Sequence, residues 1–167
     1  MLSVEERQKI KETIKTVLAC AYEVFEDLGE GWSEVVYQKA LEVALREKGI
    51  RYESQVTVPI YFKNEYLVGE AVPDLLVWVE LGNGKRVCVV VELKCTTEIT
   101  RSNVVQVQKY IKALERMLEG RAIVYNYGVI INFQKSNKKE DLDVDLNVKA
   151  YPDQNSPLKF VVVHNEI

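Results

Sequence analysis

Two acidic residues and one lysine stand at the ends of two apolar segments, where hydrophobic packing would be expected. Asp74 precedes the apolar run 75–79, and Glu92 and Lys94 follow the run 87–91. Both runs are typical of β-strands. Ionisable side chains at such positions are costly unless they are paired or bind a metal. Two carboxylates can hold a divalent cation that activates water, so this combination predicts hydrolytic chemistry.

The turn between the two runs determines which of these residues face each other. The segment 82–84 is Gly-Asn-Gly, a strong hairpin signal. Reflection about its central asparagine places Asp74 opposite Glu92 and Glu80 opposite Arg86. A two-residue loop would shift the register by one and turn Asp74 to the other face. The favourable charge pair of Glu80 with Arg86 supports the first register.

The donors of this cluster suit a hard cation. Glu92 and Lys94 share a strand face because side chains alternate along a strand. Asp74 and Glu92 supply two carboxylates, and the backbone carbonyl of Leu93 could supply a third oxygen to Mg²⁺, or to Mn²⁺ in its place. Lys94 would orient a water or stabilise charge on a phosphate. Pro73 cannot donate to a ladder and indicates a bend beside the acids. An ion pair that merely caps the strand ends is an equally open interpretation.

The surrounding pattern predicts an α/β (α+β) domain with a central mixed β-sheet flanked by helices. Helices are predicted from a capping box at Ser3 to about Leu28, from Ser33 to Lys48, and after Thr100 to about Leu118. Strands are predicted at 56–62, 66–68, 75–80, 86–93, within 123–133, and at 160–163. The polar segment 134–157 is expected to form a surface excursion of a single domain spanning residues 1–167.

Composition narrows the function classes. A chain of 167 residues with 47% hydrophobic content suits one domain with a core. The net charge of −3 and the pI near 5.4 exclude an overall basic footprint, so a polyanion would need a local patch or metal ions. Three cysteines without C-x-x-C spacing and a charged start without a signal sequence predict a reduced, cytoplasmic protein. No apolar run is long enough to span a membrane. The single histidine, His164, argues against histidine-based metal or triad chemistry.

Further motifs carry a family resemblance. Pro73-Asp74 followed by Glu92-Leu93-Lys94 resembles the motif of the PD-(D/E)XK nuclease superfamily. Gln106 and Tyr110 lie at i, i+4 on the third predicted helix and match the Q-x-x-x-Y element of some branches. The segment 31–37, Gly-Trp-Ser-Glu-Val-Val-Tyr, resembles the signature of the GxxExxY proteins within that superfamily.

The resemblance extends over roughly residues 10–133 and implies a restriction-endonuclease-like core. It implies a Mg²⁺-dependent nuclease that acts on nucleic acid, with DNA favoured over RNA. The lack of a spanning apolar run predicts no membrane partner. The roles it implies are catalysis by Asp74, Glu92, Lys94 and Glu34, metal binding by Asp74, Glu92, the Leu93 carbonyl and Glu34, and substrate positioning by Gln106 and Tyr110. Val72 and Pro73 depart from the family, which often carries an arginine and a small residue there.

Other interpretations stay open. The chain could be a catalytically silent nucleic-acid-binding or regulatory protein, or an interaction domain whose charged cluster is an ion-pair network. Glu34 alone would be an acid favoured by the helix dipole. The sequence does not fix the oligomeric state, and a homodimer is compatible with it. The third helix carries cations that form either a phosphate-facing patch or a solvated face: Lys109, Lys112, Arg116 and, after it, Arg121.

Overall fold

The computed structural model describes residues 1–133, 148–151 and 159–164 and shows a mixed sheet between helices. The predicted α+β class with a central mixed β-sheet is confirmed. The described elements, in chain order, are α1 (Val4–Leu28), α2 (Glu34–Glu47), β1 (Arg51–Ser54), β2 (Val58–Phe62), β3 (Tyr66–Ala71), β4 (Leu75–Gly82), β5 (Lys85–Lys94), α3 (Arg101–Met117), β6 (Ile123–Val124), β7 (Tyr127–Asn132), β8 (Val148–Tyr151) and β9 (Lys159–His164).

The main sheet has the strand order β1-β4-β5-β7-β9-β8, and β6 pairs with one end of β5. β4 and β5 are antiparallel, whereas β5 and β7 are parallel and are joined through α3. A parallel pair needs such a crossover, and a helix is its usual form. Residues 87–93 of β5 are buried throughout, which explains why this strand reads as an uninterrupted apolar run.

Helices cover both faces of the sheet. α1 and α2 pack on the face that carries Val77 and Val91, and α3 packs on the face that carries Val90 and Ile130. Gly128 lets α3 approach β7 closely, because a Cβ there would lie 2.5 Å from Val107 Cγ1. The two faces therefore bury two hydrophobic clusters, with β5 between them.

The first helix begins and ends where the sequence predicts. The Ser3 hydroxyl accepts the backbone N–H of Glu6, and the Glu6 carboxylate accepts the backbone N–H of Ser3. This capping box satisfies two amides that would otherwise lack partners at the helix start. The helix ends at Leu28, and Gly29 follows with a positive φ of 69° that glycine adopts without strain.

The hairpin of β4 and β5 has the predicted register. Leu75 pairs with Val91 and Glu80 pairs with Arg86, and the ladder shifts only at the turn. Continued by one residue beyond Leu75, this register places Asp74 opposite Glu92. The pairing of Glu80 with Arg86 therefore predicted the register correctly.

Several elements differ from the prediction. β1 and β6 were not predicted, because both are too short to show an apolar pattern and β1 is mainly polar and exposed. β2 and β3 form a two-stranded sheet of their own. Within the predicted surface excursion 134–157, β8 is a strand that pairs with β9, and the rest of that segment lies outside the described residues.

Candidate active site

Asp74 and Glu92 meet where β4 begins and β5 ends. The backbone N–H of Asp74 donates to Glu92 Oε1 over 2.6 Å, and the backbone N–H of Leu93 donates to Asp74 Oδ2 over 2.8 Å. Side chains thus continue the hydrogen bonding of the two strands past the end of their ladder. The two carboxyl groups are fixed next to each other, as the register predicts.

The chain before Asp74 is irregular, as expected from the proline. Val72 and Pro73 lie between β3 and β4 in neither strand, and Pro73 is buried. Proline has no N–H to donate, so the amide of Asp74 is the first after Val72 that can bond across to β5. It bonds to the Glu92 side chain, and the bend brings the two acids together.

Lys94 lies beside this pair and is held by the third helix. Its Nζ is 4.0 Å from Glu92 Oε2 and donates to Gln106 Oε1 over 3.3 Å. Glu92 and Lys94 share the face of β5 that packs towards α3, as alternation predicts. Gln106 therefore contacts the lysine, and α3 fixes the position of the ammonium group.

The acids are buried enough to disfavour their ionised forms. Glu92 is only 3% exposed, and burial followed by the charge of Asp74 raises the pKa of Glu92 to about 8. Burial also raises the pKa of Asp74, although the Leu93 amide and Lys94 oppose that shift. A hydrogen bond between the two side chains raises the pKa of Glu92 further and lowers that of Asp74. With a pKa of about 8, Glu92 holds a proton near neutral pH.

This pair fits a divalent cation. A doubly charged ion that replaces the shared proton would offset the repulsion between the two carboxylates, and oxygen donors are those that Mg²⁺ prefers. Within the described ranges, no three His, Cys, Asp or Glu side chains are grouped closely enough to hold a metal together. The Leu93 N–H is used by Asp74, and a metal-binding role for the Leu93 carbonyl stays a prediction.

Glu34 opens α2 and is half-buried near the pair. Burial, followed by the charge of Asp74, raises the pKa of Glu34, and Lys94 lowers it in part. These influences place Glu34 within electrostatic reach of the site but do not join it to the carboxyl pair. Its part in completing a metal site stays a prediction.

Tyr37 fixes the segment that carries Glu34. Its hydroxyl donates to the Gly29 carbonyl over 2.6 Å and accepts the backbone N–H of Trp32 over 3.3 Å. Its ring stacks on Phe133 with 4.5 Å between ring centroids and 4° between planes. Tyr37 is thus fully buried with its hydroxyl bonded.

Tyr110 lies on the same flank of α3 as Gln106. Burial, followed by the charges of Glu92 and Asp74, raises the pKa of Tyr110 to about 12. The hydroxyl is therefore protonated at neutral pH and within electrostatic reach of both acids. The structure thus brings Gln106 and Tyr110 to the same cluster, while their action on a substrate stays a prediction.

Two residues that support the site were not predicted to do so. The Gln38 amide donates to the backbone carbonyl of Asp74 over 3.3 Å, one helical turn after Glu34. Asn132 is fully buried, accepts the Thr96 N–H over 3.0 Å and donates to the Thr96 carbonyl over 3.2 Å. It fixes the chain two residues beyond Lys94. An asparagine that ends an apolar strand was a signal for Asn132, whereas Gln38 had none.

Comparison with known proteins gives one match. A family model of the PD-(D/E)XK nuclease superfamily matches residues 11–144, which include every predicted site residue. No curated protein and no solved structure matches the chain. The match concerns the superfamily, so the GxxExxY branch stays a prediction.

None of the helices that the structure describes combines the length and the apolar character needed to cross a membrane.

Proposed function

Because the chain belongs to the PD-(D/E)XK nuclease superfamily, we propose that it is a metal-dependent nuclease that hydrolyses phosphodiester bonds of DNA with Mg²⁺. The observation that carries this proposal is the pair of half-buried Asp74 and buried Glu92, whose carboxyl groups are held next to each other by backbone amides. Lys94 Nζ lies 4.0 Å from Glu92 Oε2. Such an arrangement is costly for stability alone, which supports a role in chemistry.

In this proposal Asp74 and Glu92 hold the cation, with Glu34 and the Leu93 carbonyl as further oxygen donors. A bound ion would polarise a phosphoryl oxygen and lower the pKa of a water. Glu92 would bind it as the carboxylate, and its pKa of about 8 is close enough to neutral pH for that form to be reached. The amides of Asp74 and Leu93 keep the carboxyl groups oriented throughout.

Lys94 then orients the attacking water or stabilises the charge that develops on the phosphate. Gln106 accepts a hydrogen bond from its ammonium and keeps it aimed at the acids. Tyr110 remains protonated at working pH and can donate its hydroxyl to a phosphate oxygen. Each of these groups acts from a position that strand β5 or helix α3 determines.

Location, family branch, domain organisation and assembly are further parts of the proposal. The three cysteines are buried thiols, which supports a cytoplasmic location. The GxxExxY branch, a single domain over residues 1–167 and a homodimer belong to the proposal as well. The molecular mass in solution tests the last of these.

Cleavage assays on single- and double-stranded DNA and RNA with Mg²⁺ or Mn²⁺ test the proposed activity. Asp74→Asn and Lys94→Ala are each expected to lower the rate by about 100-fold or more. Glu70→Gln and Lys39→Ala, which change exposed residues outside the site, are matched controls and should cleave like the wild type. Equal activity in Asp74→Asn, Lys94→Ala and wild type would overturn the proposal.

A second candidate is a catalytically silent nucleic-acid-binding protein with the same fold. It is favoured by one observation, that the carboxyl pair has no third metal-ligating side chain grouped with it in the described chain. Nucleic-acid binding without cleavage under every metal condition, unchanged in Asp74→Asn, would support this candidate instead.

A further inference from the structure

The hairpin of β2 and β3 carries a cluster of large apolar side chains that are exposed to solvent. Phe62 and Tyr66 are cross-strand partners, so their side chains lie on the same face. They are 55% and 56% exposed. The other exposed apolar residues of the hairpin are Ile60, Tyr61, Leu67 and Val68. An exposed apolar surface of this kind marks a binding site.

This hairpin leads directly into the candidate active site. β3 ends at Ala71, and the exposed Val72 precedes Pro73 and Asp74. The strand from Tyr66 to Ala71 is roughly 20 Å long and leads from the hairpin tip towards the carboxyl pair. On the α2 side of the site, Trp32 is also exposed. Exposed apolar side chains thus lie on the chain segments that precede Asp74 and Glu34.

The hairpin is also fixed against the helix that holds Lys94. The Arg116 guanidinium lies 3.7 Å from the centroid of the Tyr61 ring and donates to the Asn64 carbonyl over 2.7 Å. Val58 at the base of the hairpin is buried among side chains of α3. Helix α3 therefore joins the hairpin tip to Gln106 and so to Lys94.

One face of α3 is cationic. At 100° per residue, Arg101, Lys109, Lys112 and Arg116 fall within one exposed stripe that also contains Val105 and no acidic residue. None of the ion pairs found in the described part of the chain involves these four cations. In a protein of net charge −3, this stripe is a local surface that attracts phosphates.

A duplex would use the cations but not the aromatic side chains. Base faces are stacked inside a duplex, whereas an unpaired strand presents them to aromatic rings, with its phosphates free to meet a basic surface. Phe62 and Tyr66 belong to the hairpin whose Tyr61 contacts Arg116 of the stripe, so hairpin and stripe together offer aromatic rings and cations. Lys63, which lies 5.2 Å over the Phe62 ring, places a further cation beside the tip.

We propose that the β2–β3 hairpin and the cationic stripe of α3 bind an unpaired nucleic-acid strand and lead it to Asp74 and Glu92. This inference rests on the proposed nuclease function and specifies its substrate class as single-stranded or locally unpaired nucleic acid. The bases of the bound strand stack on Phe62 and Tyr66, and its phosphates lie along Lys109 and Lys112.

Binding measured in EDTA, where a metal-dependent nuclease cannot cut, tests this inference apart from catalysis. The probes are a fluorescent oligodeoxythymidine of about 15 nucleotides and a blunt duplex of the same length, followed by anisotropy. The wild type is expected to bind the single strand about tenfold or more tightly than the duplex. Equal affinity for the two probes would overturn the inference.

Variants of the hairpin test the stacking contribution. Phe62→Ala/Tyr66→Ala is expected to weaken single-strand binding about fivefold or more, with less than about a twofold change for the duplex. Phe62→Leu/Tyr66→Leu keeps apolar area but not stacking and should lose a similar factor, even if the alanine variant folds poorly. Val43→Ala, an exposed apolar change on α2, is the matched control. Unchanged single-strand affinity in the leucine variant would overturn the inference. So would a hairpin variant that changes the oligomeric state of the protein but not its affinity for the single strand.

Variants of the stripe test the phosphate contacts. Lys109→Ala/Lys112→Ala should weaken both probes and reduce the slope of log affinity against log salt concentration by about 1.4 for the single strand. Lys11→Ala/Lys15→Ala removes two exposed cations of α1 and should leave that slope unchanged. Equal effects of the two double variants would contradict a specific track on α3.

The outcomes separate this inference from the proposed function. Metal-dependent cleavage of duplex without preference for the single strand would overturn the inference and leave the nuclease assignment in place. Selective single-strand binding without cleavage in any metal would overturn the nuclease proposal and leave the binding surface in place.

Discussion

The carboxyl groups of Asp74 and Glu92 lie together although burial disfavours the ionised form of both and the charge of Asp74 disfavours that of Glu92 further. Backbone amides hold one oxygen of each group, and burial removes most of the water that would screen their charges. The pKa of Glu92 consequently rises to about 8. In the proposed function the pair exchanges a proton for a cation, and the raised pKa of Glu92 has measurable consequences.

One consequence is a loss of stability at high pH in the metal-free protein. The pKa of Glu92 is raised from 4.5 in the unfolded chain to about 8 in the folded one. Between these values the folded state binds a proton that the unfolded state has released, so the free energy of unfolding falls as pH rises. Glu92→Gln cannot lose this proton and should be more stable than wild type above pH 8.

Thermal unfolding in EDTA measures this effect. The difference in Tm between Glu92→Gln and wild type is expected to grow by about 3 °C or more between pH 5 and pH 8.5. Glu70→Gln changes an exposed carboxylate and should follow the wild type at both pH values. If the Tm of wild type and of Glu92→Gln changes equally with pH, Glu92 does not have a raised pKa.

Asn132 offers a second prediction for a single residue. Asn132→Ala removes both bonds to Thr96 and leaves buried backbone groups without partners, which should cost about 1–3 kcal/mol of stability. Because Asn132 fixes the chain just beyond Lys94, kcat should fall while KM changes little. Denaturant unfolding and steady-state cleavage give the two readouts. A loss of stability with unchanged kcat would make Asn132 purely structural.

At the scale of elements, Tyr37 connects the start of α2 to the core. Tyr37→Phe keeps the stacking on Phe133 but leaves the Gly29 carbonyl and the Trp32 amide without their partner. The expected cost is about 1–2 kcal/mol, with slower cleavage because the segment that carries Glu34 loosens. Tyr37→Leu loses the stacking too and should cost more in denaturant unfolding. If Tyr37→Phe cleaves at the wild-type rate, Glu34 does not depend on this anchor.

Elements with local signals were predictable. The capping box at Ser3, the Gly-Asn-Gly turn and the pairing of Glu80 with Arg86 all act between residues that the sequence places near each other. β1 lacks such a signal because its four residues gain strand structure only by pairing with β4. The separate sheet of β2 and β3 depends on packing against α3, which no local pattern indicates.

The same distinction applies to the candidate site. Asp74, Glu92 and Lys94 lie on one hairpin, so register and alternation were enough to bring them together. The contact of Lys94 with Gln106 needs the crossover that packs α3 over β5, and only a family motif indicated Gln106, as a substrate-positioning residue. The hydrogen bond from Gln38 to Asp74 joins α2 to β4, which no spacing within the chain predicts.

For the whole molecule, charge is distributed unevenly. The net charge is −3, yet one face of α3 is cationic and the carboxyl pair lies at the end of the neighbouring strand. The acids would repel a phosphate backbone in the absence of a cation. Divalent metal should therefore strengthen substrate binding as well as support cleavage, and the two roles share one site.

If this carboxyl pair exchanges a proton for a metal ion, calorimetric titration with Mn²⁺ in two buffers of different ionisation enthalpy will detect the released proton. At pH 7 the wild type and the control Glu70→Gln should each release about one proton per bound Mn²⁺, with affinity rising up to about tenfold per pH unit below pH 8. Glu92→Gln should bind weakly and release no proton. Absence of binding to wild type at millimolar Mn²⁺, or binding that Glu92→Gln leaves unchanged, would contradict the account.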